Sequence, residues 1–148
     1  MKLTLTNLHP SLRPPPGKWR RIVRCLLKPV LKENRFSRFS IAHLNIVWVD
    51  DARMAKLHWQ YSHTKGPTDI LTFDHGKGCA EIIISLDTAS RQARRYKQTF
   101  SQELTLYLAH GILHLAGLGD KSQTERRKMR REEQLLIQKL NHEARRKY

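Results

Sequence analysis

Residues 104–120 read Leu104-Thr-Leu-Tyr-Leu-Ala-His110-Gly-Ile-Leu-His114-Leu-Ala-Gly117-Leu-Gly-Asp120, and the rest of the chain is organised around them. Leu104, Leu108, Ile112 and Leu115 recur at three- and four-residue intervals, the mark of a helix with one face in a core. His110 and His114 are four residues apart, so they leave that helix about 40° apart around its axis and can converge on one ion. Gly117 is a good stop for the helix. Gly119 keeps the next turn loose, and Asp120 can swing back as a third ligand. The pattern H-x-x-x-H-x-x-G-x-x-D is the layout of a catalytic zinc site, with a fourth position open to water or substrate. Two imidazoles and a carboxylate also suit other divalent ions. A histidine pair at this spacing also arises by chance on helices that bind nothing. The glycine and carboxylate at the right distance favour the ion, as does the cost of two unpaired histidines on an apolar helix. The expectation is one Zn²⁺ per chain on His110, His114 and Asp120.

Position 111 argues against one enzyme class. A zinc peptidase of the H-E-x-x-H type carries a general-base Glu directly after its first histidine. Here that residue is Gly111, which offers no carboxylate.

Working outward, residues 3–8 alternate as a strand, and Pro10 and Pro14–Pro16 interrupt regular structure. Residues 18–33 have helical periodicity, with Pro29 predicting a kink or stop. Residues 40–49 predict a buried strand, followed by a helix capped by Asp50 or Asp51 through about Tyr61. Short strands are expected at 69–74 and 80–86, with a glycine loop between them. Helices follow: one capped by Asp87 through about Tyr96, one from Ser101 with Glu103 in its first turn, and one from about Ser122 to Arg145. This order predicts a single α+β domain over residues 1–148. It has a small mixed sheet covered by helices and a zincin-like metal-binding helix, and a frayed basic tail begins at about 142.

Composition bounds the function. The 148 residues carry 28 Lys and Arg against 13 Asp and Glu, a formal net charge of +15. The excess lies at the ends: nine basic and one acidic residue in 1–35, ten and four in 121–148, nine and eight between. Such a footprint favours a polyanion, most commonly nucleic acid, although a solvated charged face gives the same composition. Arg20, Arg21 and Arg24, with Arg126, Arg127 and Arg130, are the candidate phosphate contacts. No run approaches a membrane span, no secretory signal is evident, and Cys25 and Cys79 share no motif. The cytoplasm and a monomer are the default expectations.

Several segments together resemble the YbeY family of bacterial endoribonucleases. His110-Gly-Ile-Leu-His114-Leu-Ala-Gly117 matches the family's H-G-x-L-H-L-x-G. Pro67-Thr-Asp-Ile-Leu-Thr-Phe73 is similar to its P-T-D-V-L-S-F segment, and Ala80-Glu-Ile-Ile-Ile-Ser85 to its G-D-I-x-I-S strand. Met129-Arg-Arg-Glu-Glu133 is similar to its Met-Arg-x-x-Glu segment. The resemblance covers about residues 40–140. It implies an α+β fold with one mixed sheet. It also implies a zinc-dependent hydrolase of single-stranded RNA, working with the small ribosomal subunit in 16S rRNA 3′ end maturation and quality control.

Two positions depart from the family pattern. The usual third ligand is His, where this chain has Asp120, which makes the metal centre less positive. Many members carry an Arg six residues before the Thr of P-T-D, thought to act on phosphate; here it is Ser62, with His63 and Lys65 as candidate substitutes. The general base is unassigned, with His63, Glu81 and Asp69 as candidates, and Thr68 and Asp69 also read as structural. The readings to separate are a metal-dependent endoribonuclease, a non-catalytic ribosome-associated zinc protein, and a metallopeptidase.

Overall fold

The computed structural model describes residues 1–64, 66 and 68–146. Lys65, and Pro67 of the P-T-D segment, lie outside the described residues. The elements are β1 Lys2–Asn7, α1 Pro16–Lys32, β2 His43–Val49, α2 Asp51–Ser62, β3 Ile70–Asp74, β4 Cys79–Ser85, α3 Leu86–Arg95, α4 Phe100–Leu115 and α5 Gln123–Arg146, with a 3₁₀ turn at Asn34–Phe36. The sheet order is β1-β2-β4-β3. β1 and β4 run parallel to β2, and β3 is antiparallel to β4, so the sheet is mixed and β3 is one of its edges.

Strand alternation sorts the core into two layers. Leu44, Ile46 and Trp48 of β2, with Ala80, Ile82 and Ile84 of β4, face the larger core beneath α1, α3, α4 and α5. Val47, Val49 and Ile83 face the other way, against Met54 and Leu57 of α2 and Leu71 and Phe73 of β3. Each buried aliphatic side chain of this kind contributes about 1.5–3 kcal/mol by leaving water. Trp19 of α1 meets Trp48 edge to face at 6.2 Å, which fixes α1 on the sheet.

Element boundaries differ from the sequence expectation where side chains compete for backbone groups. Pro29 does not end α1, which continues to Lys32. Proline removes one N–H near the end of the helix, and buried Leu26, Leu27 and Val30 hold that turn against the core. Ser85, not Asp87, caps α3 by accepting from the Thr88 N–H at 3.2 Å. The Asp87 carboxylate instead accepts from His9 Nε2 at 2.8 Å and from the Asp51 N–H at 3.0 Å, joining three segments. Thr99 caps α4 in a reciprocal capping box with Gln102, so the helix begins at Phe100, one residue before Ser101, with Glu103 in its first turn as expected. The segment from about 142, expected as a frayed tail, is helical through Arg146. Among the described residues, no helix is long and apolar enough to cross a membrane.

Gly111 shows why α4 can lie so close to the sheet. A Cβ there would meet Ile70 Cδ1 at 2.8 Å and Ile82 Cδ1 and Cγ2 at 3.2 Å. Gly111→Ala gains up to ~1 kcal/mol of helix propensity but overpacks this crossing, at a cost of about 1–3 kcal/mol. The expected net result is a lower midpoint in urea unfolding with an unchanged slope. A variant as stable as the parent would show that the crossing has slack.

Candidate metal centre

α4 delivers both histidines because Gly111 is turned into the sheet and its neighbours are therefore turned away from it. The helix ends in a Schellman arrangement. The Leu118 N–H donates to the Leu113 carbonyl and the Gly117 N–H to the His114 carbonyl, both at 3.0 Å. Gly117 takes φ +110° to make this turn, a conformation that side chains rarely adopt. Leu118 is buried and pins the turn. Ser122 and Glu125 then cap α5 reciprocally, at 3.0 and 3.1 Å. Asp120 sits between these two fixed points with its carboxylate toward both histidines.

The three candidate ligand atoms lie within 4.8 Å of one another. Asp120 Oδ2 is 3.1 Å from His114 Nε2 and 3.4 Å from His110 Nε2. Zinc–ligand bonds of ~2.0–2.1 Å in tetrahedral geometry put ligand atoms about 3.3 Å apart, so these separations fit an ion in the middle. The imidazole rings are edge to face with centroids 4.5 Å apart. All three residues are partly exposed, which leaves an approach for a fourth ligand.

The other nitrogen of His110 is engaged as well. Its Nδ1 is 3.0 Å from Glu133 Oε2 on α5, and the Glu133 side chain is buried to 9% exposure. A carboxylate behind a ligating histidine fixes its tautomer and turns Nε2 toward the ion. Burial alone would lower the His110 pKa, but the Glu133 hydrogen bond, its charge, and the charges of Asp120 and Asp69 together raise it. In the metal-free chain this pair therefore stabilises the fold below the ordinary histidine value of 6.5. That contribution is lost as the pH rises through the raised value. Glu133→Gln removes the main raising partner, so the His110 titration followed by NMR in metal-free protein is expected to move to lower pH. Zinc affinity is expected to fall about 10–100-fold in a competition titration. An unmoved His110 titration would show that Glu133 does not act on the ring.

A cavity of about 290 Å³ opens beside His110, lined by Asp69, Gln92, Glu103, Tyr107 and Glu133 among others. Burial and the nearby Asp69 charge push the Glu103 carboxyl up. Burial, then the Asp69 and Glu103 charges, push the Tyr107 hydroxyl up too. Three carboxyl groups crowd this space, so it suits a cation and repels bare phosphate. Asp69 stands at the cavity wall, with Oδ1 accepting from its neighbour Thr68 at 3.3 Å and from the Ile70 N–H at 2.8 Å.

The other candidates separate. Glu81 shares the sheet face of Ile83, opposite the face that carries α4, and is held by Asn45 at 3.0 Å and His75 at 3.5 Å. It is therefore not beside the metal ligands and is a poor general base. His63 ends α2 at φ 54° with its ring edge against Trp59 at 5.5 Å. Arg126 is engaged with backbone, donating to the carbonyls of Lys121 at 2.8 Å and Asp120 at 3.4 Å. It braces the ligand loop through Nη1, and the residue is exposed. Arg20, Arg21 and Arg24 on α1, and Arg127 and Arg130 on α5, are exposed. Glu133 escaped notice as a partner of His110, although the Met-Arg-x-x-Glu segment that ends on it was the signal.

Fold and site together define an α+β protein with a His–His–carboxylate cluster that could hold a metal ion, on a helix that crosses next to the edge of a mixed sheet. A family model described as endoribonuclease YbeY matches residues 9–141, and the chain belongs to that family. A protein of Treponema denticola named endoribonuclease YbeY is 30% identical over 142 residues, covering 87% of this chain and 90% of its own. A protein of the same name from Pelotomaculum thermopropionicum is 34% identical over 111 residues, covering 68% and 73%. The solution structure of TM1509 from Thermotoga maritima superposes with a TM-score of 0.63 at 25% identity, over 99% of this chain and 93% of that one.

Proposed function

We propose that this chain is a zinc-dependent endoribonuclease that cuts single-stranded RNA. We infer the small ribosomal subunit as its partner, 16S rRNA 3′ end maturation and ribosome quality control as its task, and the cytoplasm as its setting. The observation that carries the reading is the convergence of His110, His114 and Asp120, whose ligand atoms lie within 4.8 Å of one another, with Asp120 Oδ2 at 3.4 and 3.1 Å from the two Nε2 atoms and one side open. The name shared by the relatives supports RNA as the substrate, and the +15 charge supports a polyanion.

A bound zinc ion supplies Lewis acidity toward a phosphoryl oxygen and a water whose pKa is brought down toward ~7. The protein's own groups do the rest. Glu133 holds the His110 Nδ1–H and so keeps Nε2 aimed into the centre. Gly111 keeps the space after the first histidine free of a carboxylate, so the proton acceptor comes from the sheet instead. Asp69, at the cavity wall next to His110, is the residue we assign to take a proton from the attacking water, at Oδ2. Arg127 and Arg130, exposed on α5 beyond Glu125, meet flanking phosphates. Such contacts add salt-dependent affinity and little sequence choice.

The test incubates untagged protein with ribosomal RNA and with casein, with and without chelator, beside the His114→Ala variant as a control for contaminating nuclease. RNA cleavage that chelator and the variant both abolish is the expected result. Casein cleavage would point to a peptidase. Bound metal with no cleavage of either would point to a non-catalytic ribosome-associated zinc protein.

A further inference from the structure

Three carboxyl groups line the cavity beside His110, and two of them are engaged. Glu133 holds His110 Nδ1, and Asp69 Oδ1 holds the turn into β3. The third, Glu103, has no hydrogen bond or ion pair at its side chain among the described residues, although the residue is only 6% exposed. Tyr107, also 6% exposed, has no hydrogen-bond partner for its hydroxyl among the described residues. Burial and then the Asp69 charge push up both the Glu103 carboxyl and the Tyr107 hydroxyl, so both groups stand on the Asp69 side, at this cavity. Gln92, on the same wall, adds an Oε1 that is buried with no partner. Buried polar groups are nearly always hydrogen-bonded, and leaving them unpaired is costly.

Placement ties these groups to the metal ligands. Glu103, Tyr107, His110 and His114 follow one another at four-, three- and four-residue spacing, which sets them in one stripe along α4. Glu103 stands about 10 Å along the axis from His110. The cavity, about 290 Å³, lies at the lower end of the ~300–1,000 Å³ of small-ligand sites, room for one ring system. Ile70 and Leu106 give it apolar walls, and Tyr96, 59% exposed, adds an aromatic ring. A bare ion needs ligand atoms that converge. Among the described residues, three such side chains come within 4.8 Å of one another only at His110, His114 and Asp120. A flat ring bearing several N–H groups needs acceptors spread along a wall, and this cavity has them.

We propose that this cavity seats an unstacked guanine of the RNA strand, with Glu103 accepting from its N1–H and N2–H groups and the Tyr107 hydroxyl donating to its O6. This inference rests on the endoribonuclease reading and names the base which that site selects. Guanine alone among the four bases presents two adjacent donors on its pairing edge. Adenine and cytosine present one amino group beside a ring acceptor, and uracil one N–H between two carbonyls. A carboxylate meets both guanine donors and is repelled by the acceptors of the other bases. Extruded bases are read in this way, by hydrogen bonds to the pairing edge inside a pocket with apolar and aromatic walls. The carboxyl groups that repel bare phosphate therefore suit a base. In a duplex that edge is taken by cytosine, so only an unpaired strand can offer it.

The experiment titrates zinc-loaded full-length protein with labelled, nuclease-resistant 2′-O-methyl octauridylates that carry one guanine, one inosine or one adenine in the middle, read by fluorescence anisotropy. Inosine is guanosine without the 2-amino group. The guanine strand is expected to bind about tenfold tighter than the other two. In Glu103→Gln that preference is expected to fall to within about twofold, with zinc content and circular dichroism unchanged. Tyr107→Phe is expected to weaken the guanine and inosine strands alike by about threefold, because both carry O6. The guanine-to-inosine ratio of the parent needs no variant, so it decides the matter even where a variant fails to fold. Equal binding of the three strands by the parent, or a guanine preference that Glu103→Gln leaves intact, overturns the subsite. Equal binding together with calorimetric Mg²⁺ binding that Glu103→Gln abolishes would overturn it in favour of an ion. Cleavage of ribosomal RNA without a guanine preference overturns the subsite and leaves the nuclease reading intact. A guanine preference lost in Glu103→Gln, without any RNA cleavage, would leave the subsite and overturn the nuclease.

Discussion

His114→Ala is expected to lose RNA cleavage by about 10³-fold or more and to bind no zinc at equimolar metal. His114 Nε2 lies 3.1 Å from Asp120 Oδ2, and removing it leaves two ligands on opposite sides of the α4–α5 turn. Lewis-acid stabilisation is worth several kcal/mol, and each 1.36 kcal/mol is a factor of ten in rate. The same variant bears on stability. An ion bound in thousandfold excess over its dissociation constant adds about 4 kcal/mol to the native state. For a chain of this size that is roughly 10 °C in Tm. Parent protein with zinc should therefore melt well above both the chelated parent and the variant, and those two should melt together. A variant that still cleaves RNA in a chelator-sensitive way would place the ion elsewhere.

Asp69→Asn is the second large effect. The substitution keeps the Oδ1 acceptor that serves Thr68 and the Ile70 N–H, so the turn into β3 is preserved. It removes the charge next to His110 and the group assigned to accept the proton. General-base catalysis is worth about 10²–10⁴-fold. The expected result is a fall of that size in kcat with zinc stoichiometry unchanged and KM moved little. Glu81→Gln, on the opposite face of the sheet, should leave kcat within about threefold, well short of a lost general base. A silent Asp69→Asn together with a large Glu81→Gln effect would reverse the assignment.

The clustering of His110, His114 and Asp120 was legible in the sequence because helical spacing fixes where residues i and i+4 point, and a glycine stop fixes where the chain turns. The strands were legible from β-branched and apolar runs, but the unbroken run Ile82–Ile84 hides which face each side chain takes: Ile82 and Ile84 enter the larger core and Ile83 the smaller one. What local pattern does not contain is partner choice across the chain. Glu133 lies 23 residues from His110, and nothing in helix periodicity says that α5 returns to place its carboxylate behind the ring. Asp87 reads as a cap from its neighbours, yet it serves His9, 78 residues away, and Ser85 takes the cap. Arg126 reads as a surface cation by charge alone, and nothing local says that its Nη1 reaches the carbonyls of Asp120 and Lys121. Glu81 and Asp69 are equivalent as carboxylates near strands; Glu81 pairs within the sheet opposite Phe73, whereas Asp69 precedes β3 and lines the cavity beside His110. The role of Gly111 was read as the absence of a base. Its contact with Ile70 and Ile82 supplies the reason: there is no room for one.

Metal content of protein purified without a histidine tag tests the central claim most directly, measured on the parent and on Asp120→Ala and His114→Ala. One zinc per chain in the parent, and a near-complete loss in both variants with far-ultraviolet circular dichroism unchanged, is the predicted result. Zinc held equally by all three proteins, or by none of them, would contradict a centre built from His110, His114 and Asp120.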